Sequence, residues 1–344
     1  MRYNLKYFIR VYDFLAWRPL TLLFRTNLEK MSSAPESIDE EQLPEDLIRL
    51  KPIEPLPSDC CGSGCTLCVF DIYEQELKIW KRECEKYFLK DKASNEKDLD
   101  AENVICQEEY SKFTLKDIIK ETVNSNIYRF NISNNRKLGI KMGQHLILRD
   151  SFNNEWITRQ YTPISPVDTE GHFDVLIKLY EHGKMSKCIH QWKVNDKISW
   201  RGPFGNFQYK PNSFSQIIML IAGSGITPVV EVIRQILDNE GDETFLCLFY
   251  ACRHYDDIML KTKLKSWESY WNFTVVYCLS QESDKTKKKY GDKIHYGRIH
   301  KDLISKEMKF EVKDVFVLVC GSFSFNNDMK NIINQLRIQN HFIF

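Results

Sequence analysis

Arg159-Gln160-Tyr161-Thr162-Pro163-Ile164-Ser165 is the stretch on which the reading of this chain turns. Trp156, Ile157 and Thr158 run into it with the apolar and β-branched character of a strand. A strand end that presents a guanidinium, a phenol ring and a hydroxyl so close together suits a flavin nucleotide. Arg159 can pair bidentately with a pyrophosphate. Tyr161 can lie against the isoalloxazine, and Thr162 can hydrogen-bond its edge. Taken alone, Arg-x-Tyr-Thr is also an ordinary strand sequence, so the neighbouring stretches decide.

On the C-terminal side, residues 173–180 read as a strand leading into Glu181-His182-Gly183-Lys184-Met185-Ser186. Gly183 permits close backbone approach, and the amides of Lys184, Met185 and Ser186 open a helix and can receive a phosphate. Trp200-Arg201-Gly202-Pro203-Phe204-Gly205-Asn206-Phe207 adds glycine turns. On the N-terminal side, short strands at 128–132 and 143–148 flank a turn at Leu138-Gly139. Close-spaced strands of this kind predict a small antiparallel β-barrel. His145 is expected to be a satisfied core or turn histidine.

The texture changes at Gln216. Residues 217–221 are a continuous apolar run, as in a parallel strand buried on both faces. Ala222-Gly223-Ser224-Gly225-Ile226-Thr227-Pro228 follows, with Thr227 expected as a helix N-cap and Pro228 as the first helical residue. Val229, Val232, Ile233, Ile236 and Leu237 form the expected buried stripe. A strand, glycine turn and helix in this order can cradle a phosphate, although the full dinucleotide fingerprint is absent. Further strands at 245–250, 273–278 and 315–320 alternate with helices, predicting an α/β doubly wound parallel sheet. Cys320 ends the last of these, where such sheets bind ligands. Asp256 or Asp257 suits a ribose hydroxyl and repels a 2′-phosphate; Arg253 argues the other way. The closing His341-Phe342-Ile343-Phe344 packs as a sheet edge or reaches the flavin site.

Before the barrel the chain is less regular. Residues 1–30 interleave Arg2, Lys6, Arg10, Arg18 and Arg25 with aromatic and aliphatic residues. They fit a mitochondrial presequence, a membrane-surface helix, or a tail preceding an alternative start at Met31. Residues 31–58 are acidic and proline-bearing, a linker. Cys60, Cys61, Cys65 and Cys68 then cluster, with Cys65 and Cys68 in C-x-x-C spacing. Metal or dithiol chemistry and a tight structural turn are both open for them. A helix follows, its apolar stripe being Val69, Tyr73, Leu77, Trp80, Cys84 and Tyr87. The expected divisions are an extension over 1–50, a cysteine-rich helical segment over 51–90, a charged linker over 91–108, the barrel over 109–212 and the parallel-sheet domain over 213–344. The 344 residues suffice for two domains plus this extension, and a hydrophobic content of 43% supports packed cores. A net charge of +1 argues against bulk nucleic-acid binding. The eleven cysteines, odd in number and mostly scattered, favour a reducing intracellular compartment, mitochondrial, membrane-associated or cytoplasmic. No apolar run is long enough for an ordinary transmembrane helix.

The segment from Pro55 through the cysteines to Tyr73 resembles the small oxidoreductase-like N-terminal module. The later motifs, in order Arg-x-Tyr-Thr-Pro-x-Ser, Gly-Lys-Met-Ser, Arg-Gly-Pro-x-Gly, Gly-Ser-Gly-Ile-Thr-Pro and Cys-Gly-Ser, resemble the ferredoxin-NADP-reductase superfamily. Within it they are most similar to the NADH–cytochrome b5 reductase family, over about residues 110–344. The resemblance implies an FAD-binding barrel, an NADH-binding domain and an active flavin oxidoreductase. Arg159 would bind FAD phosphate, Tyr161 would pack on the flavin, and Thr162 would contact its edge. Ser165 and Tyr180 would belong to the same cofactor set, and Lys178 would lie near flavin or NADH. Gly183, Lys184, Met185 and Ser186 would hold the pyrophosphate. Gly223, Ser224, Gly225, Thr227 and Pro228 would sit beneath the nicotinamide, with Asp257 on the ribose side. Cys320 would lie beside the hydride path, completing a catalytic set with Thr162 and Lys178. No metal ligand is implied. The electron acceptor would be a haem protein such as cytochrome b5. A different acceptor, or a catalytically weakened binding protein working through the cysteine segment, are the alternatives. Gln160, Ser224, the short turn before Gly183 and Ser322-Phe323-Ser324-Phe325 depart from the family pattern.

Overall fold

The computed structural model describes residues 43–55, 69–90, 104–153 and 155–344. The cysteine cluster at 60–68 and the basic segment at 1–30 lie outside these residues. The expected linker over 31–58 contains a short helix, α1 (Glu45–Arg49), and α2 (Val69–Lys90) follows. Among the described residues, no helix is long and apolar enough to cross a membrane.

Alternating apolar positions then build β1 (Ser111–Thr122), β2 (Ser125–Asn131), β3 (His145–Phe152), β4 (Glu155–Tyr161) and β5 (His172–Lys178). A short α3 (Lys184–Ile189) precedes β6 (Lys197–Phe204). These six strands are antiparallel, in the order β4-β3-β6-β1-β2-β5. A bridge between Pro163 and Val175 joins the two edges, so the sheet curls into the expected barrel. Its interior is aromatic. Phe130 stacks on Phe173 at 5.2 Å and meets Trp200 edge-on at 5.2 Å.

The second half contains β7 (Gln216–Ala222), α4 (Thr227–Asp238), β8 (Phe245–Cys252), α5 (Lys261–Trp267), β9 (Phe273–Leu279), β10 (Lys293–Tyr296), α6 (Lys301–Glu307), β11 (Val315–Cys320), α7 (Phe323–Gln335) and β12 (His341–Ile343). All six strands pair in parallel, ordered β10-β9-β8-β7-β11-β12. β7 is central and wholly apolar from Ile217 to Ile221 because helices cover both faces. The stripe Val229, Val232, Ile233, Ile236 and Leu237 is buried as expected. The two halves share one core, in which Ile164, Leu176 and Phe207 from the barrel side pack with residues of β7 and α4. Arg234 Nη2 donates to the Ile164 carbonyl at 2.9 Å, and the Leu260 amide donates to Glu121 Oε1 at 2.6 Å.

Two N-terminal features differ from the sequence reading. Residues 104–107, within the segment assigned to a linker, already pack on the barrel. Ile105 is buried in its core, and the Gly202 amide donates to the Cys106 carbonyl at 2.9 Å. The α2 stripe is also rotated. Trp80 and Cys84 are buried as expected and Ile79 joins them, but Tyr87 is exposed. Glu76 and Glu83, one heptad apart, share the inward side of α2 and meet cations on the barrel's outer surface. Successive strand residues point to opposite faces, so Trp200 fills the barrel while Arg201 points out. Arg201 is nevertheless only 1% exposed, because it pairs with Glu76 at 2.5 Å and donates to the Gln107 carbonyl at 3.2 Å. Tyr110 OH donates to the same Glu76 at 3.1 Å. Arg149 pairs with Glu83 at 3.0 Å and lies 3.8 Å over the Tyr110 ring.

Candidate functional site

Strand order reverses between β7 and β11, and in an open parallel sheet the crevice at that switch point is where ligands bind. A cleft of about 1830 Å3 opens there, between the strand ends and the barrel. It brings together Arg159, Tyr161, Thr162, Lys178, Tyr180 and the segment Gly183, Lys184, Met185 and Ser186. Gly223, Ser224, Gly225, Thr227, Pro228, Asp257 and Cys320 line it as well. Ser165 does not. Its hydroxyl accepts the Asp174 amide at 3.2 Å and fixes the turn after the flavin stretch.

The sheet side of the cleft is built by close backbone approach. Gly223 adopts φ +53°, and residues Gly223–Ile226 make a 3-10 turn before α4. Thr227 is therefore not the N-cap. Helical geometry has already begun at Ile226, so Thr227 is the first residue of α4, and its hydroxyl donates to the Ser224 carbonyl at 3.2 Å. Pro228 remains in the first turn, where no amide donor is needed. A methyl group on Gly225 would sit 2.4 Å from the Cys320 carbonyl oxygen, so only glycine fits beneath this turn. Tyr250, fully buried under it, donates to the Gly223 carbonyl at 3.0 Å. Burial pushes the Cys320 thiol up to about 12, which keeps it neutral. The departure at Ser322-Phe323-Ser324-Phe325 forms the start of α7: Ser322 Oγ accepts the Phe325 amide at 3.3 Å, and Phe325 lines the cleft.

The barrel side supplies cations and flat rings. Arg159 Nη1 donates to the Thr158 carbonyl at 2.6 Å. No acidic side chain pairs with it among the described residues, so its charge is available to an anion in the cleft. The Tyr161 ring meets Trp200 edge-on at 6.0 Å, and burial holds its phenol neutral, well above the ordinary tyrosine range. Lys178 Nζ lies 5.9 Å over the ring of Tyr180, which is 57% exposed and offers an open aromatic face. The Ser186 hydroxyl accepts the Tyr180 amide at 2.9 Å, folding the short turn so that α3 starts at the cleft. Met185 is buried in the barrel core and anchors that helix.

His145 departs from its expected role. It lines the cleft, its Nε2 is buried without a hydrogen-bond partner, and burial lowers its pKa to about 4. The imidazole is therefore neutral at pH 7 and has a ring nitrogen free for a bound group. The only sequence signal was its position beside Gly143-Gln144. Phe342, Ile343 and Phe344 satisfy both expectations for the closing segment: β12 pairs along β11, and all three residues line the cleft. Tyr250 and Arg298 were missed, since an apolar strand and an irregular loop give no local hint of a site. A pairable cation, two ring faces, an orphan imidazole and a glycine-only approach fit a flavin dinucleotide with a nicotinamide nucleotide against it.

Three family models match the chain in sequence order. They are the oxidoreductase-like protein N-terminal module over 46–88, the oxidoreductase FAD-binding domain over 112–209 and the oxidoreductase NAD-binding domain over 219–331. The mouse (Mus musculus) protein named NADH-cytochrome b5 reductase-like is 40% identical, covering 85% of this chain and 93% of its own length. Its human (Homo sapiens) counterpart of the same name is 39% identical, with 86% and 94% covered. The solved cytochrome b5 reductase domain of Ulva prolifera nitrate reductase shares the fold, with a TM-score of 0.63, 23% identity, and 70% of this chain and all of that one covered. The chain belongs to the NADH-cytochrome b5 reductase-like family of FAD- and NAD-binding oxidoreductases.

Proposed function

We propose that this chain is an NADH-dependent flavin reductase whose electrons pass to a haem protein of the cytochrome b5 kind. One observation carries the reading. The flavin stretch and the glycine turn, from different domains, line one cleft at the switch point of the sheet. The chemistry supplied by bound FAD would be acceptance of a hydride from NADH and release of single electrons. The chain's own contribution is position and electrostatics. Arg159 and the opening amides of α3 would hold the pyrophosphate. Tyr161, as a neutral ring, would lie against the isoalloxazine, while Thr162 would meet its edge and Lys178 would stand near it. Glycine at 223 and 225 would let a nicotinamide ring approach the backbone closely. Cys320 walls that position as a neutral thiol and offers no competing nucleophile. The names of the relatives support the acceptor class.

The test is an anaerobic visible spectrum of the FAD-loaded protein, followed by addition of NADH and then of oxidised cytochrome b5. Bleaching by NADH and reoxidation by the haem protein are expected. A flavin that NADH leaves oxidised would refute the reductase reading. Bleaching without reoxidation would refute the acceptor.

A further inference from the structure

We infer that Glu76, in the oxidoreductase-like module, is a positioning residue for the flavin site: through Arg201 it fixes the Phe204 wall of the cleft. This role requires FAD in the cleft, as the reductase reading has it, and is independent of the acceptor. It gives the N-terminal module a part in building the redox centre. Near its end, β6 passes from beneath α2 to the cleft. Arg201 pairs with α2, whereas Phe204, Gly205 and Asn206 line the cleft. The residues between are held from outside. The Gly202 amide donates to the Cys106 carbonyl at 2.9 Å, and the Gln107 side chain donates to the Pro203 carbonyl. On the inside there is little slack, since a methyl group on Gly205 would crowd the Gly143 carbonyl oxygen at 3.1 Å. In packing this close, a shift of the outer clamp is passed to the inner wall.

The guanidinium of Arg201 is the outer anchor. Its Nη2 donates to Glu76 Oε1 at 2.5 Å and its Nη1 to the Gln107 carbonyl at 3.2 Å. Its buried Nε has no hydrogen-bond partner, so these contacts and two rings orient the plane. Arg201 lies 5.4 Å over the Tyr110 ring and 4.8 Å over that of Phe204. Tyr110 OH donates to Glu76 at 3.1 Å, so one carboxylate holds both the cation and a ring beside it. Phe204 in turn pairs across the strands with His145, their ring centroids 6.0 Å apart, and both line the cleft. Direct contacts thus run from α2 to the flavin wall through Glu76, Arg201 and Phe204. Glu83 differs. It pairs with Arg149, which stacks on Tyr110 and stops short of the cleft. The two carboxylates of α2 therefore have separable roles: Glu83 holds the helix to the barrel, and Glu76 also sets the wall.

The test is FAD binding by the full chain, followed by flavin fluorescence at a temperature where far-ultraviolet circular dichroism shows each variant folded. The visible dichroism of the bound flavin reports its surroundings. Glu76→Ala should weaken FAD about fivefold or more and alter that dichroism. Glu76→Gln, which keeps an acceptor for Arg201, should restore both, the affinity to within about twofold of the wild type. Arg201→Lys keeps the charge pair but removes the plane over Phe204, and should match Glu76→Ala. Glu83→Ala should lower the melting temperature yet leave FAD affinity within about twofold. If Glu76→Ala does not fold, Arg201→Lys against Glu83→Ala decides the matter by the same criteria. Wild-type affinity and dichroism in Arg201→Lys and in folded Glu76→Ala would overturn the inference. So would equal losses of affinity in Glu83→Ala. If the wild type binds FAD and is bleached by NADH while the variants match it, this inference falls and the reductase reading stands. If the folded wild type binds no FAD, both fall.

Discussion

Replacing Glu76 by alanine should unfold the barrel at a markedly lower temperature, although Glu76 lies outside the flavin domain in sequence. The reason is the partner it leaves behind. Arg201 is 1% exposed and Glu76 13%, so the pair sits beneath α2, away from water. Removing one partner of a buried pair typically costs about 3–5 kcal/mol, because the remaining charge is stranded. Arg201 keeps the Gln107 carbonyl, and the alanine gap admits some water, so the lower end applies, about 3 kcal/mol. At about 2–4 °C per kcal/mol for a protein of this size, the melting temperature should fall by about 6–12 °C. Arg201 also lies 4.8 Å over the Phe204 ring, and Phe204 lines the cleft, so flavin release should follow the same transition. The assay is a thermal melt read by far-ultraviolet circular dichroism and by flavin fluorescence. Glu76→Gln, which keeps a hydrogen-bond acceptor, should recover part of the loss. A melting temperature for Glu76→Ala within about 1 °C of the wild type would refute the reasoning, since that is the range of an ordinary surface change.

Gly225→Ala should keep bound FAD but lose bleaching by NADH, because the new methyl collides with the Cys320 carbonyl rather than with a movable side chain. Stopped-flow absorbance on the flavin-loaded variant measures this. Arg159→Ala should weaken FAD binding about tenfold or more, the worth of a charge-assisted phosphate contact, as read by flavin fluorescence on dilution. Tyr250→Phe removes the hydrogen bond to Gly223 and should destabilise by about 1 kcal/mol while raising the KM for NADH more than it lowers flavin content. His145 gives a pH dependence. Its folded-state pKa, about 4, lies below the ordinary 6.5, so the unfolded chain binds the extra proton first. Its contribution to stability is present above about pH 6.5 and is lost as pH falls towards 4. The difference between wild type and His145→Gln in urea melts should shrink over that window.

The parts of the site legible in the sequence are those whose chemistry demands a residue type at a fixed place. The apolar run at 217–221 can only be a strand covered on both faces, and Gly223 and Gly225 stand where backbone must meet ligand or strand. Arg159, Tyr161 and Thr162 sit within one strand end and were visible together. Contacts between distant segments were not. Glu76 and Arg201 read locally as solvated charges, and only the docking of α2 on β6 makes them a buried pair. Thr227 has the composition of an N-cap, but the 3-10 turn before it starts the helix one residue early, a tertiary choice that local propensity does not fix. The orphan nitrogen of His145 likewise depends on which face of β3 looks into the cleft.

The brace across the barrel also sets a clock. Its two halves, Glu76 and Arg201, are 125 residues apart. At about 5–20 residues per second of synthesis, α2 leaves the ribosome roughly 6–25 s before the strand that will receive it. During that interval Glu76 has no cation from β6 to pair with, although the Trp80 indole can already donate to the Leu47 carbonyl of α1 at 2.7 Å. The nascent chain therefore carries α2 for seconds with this carboxylate unpaired. Slowing translation between the two segments should lengthen that interval.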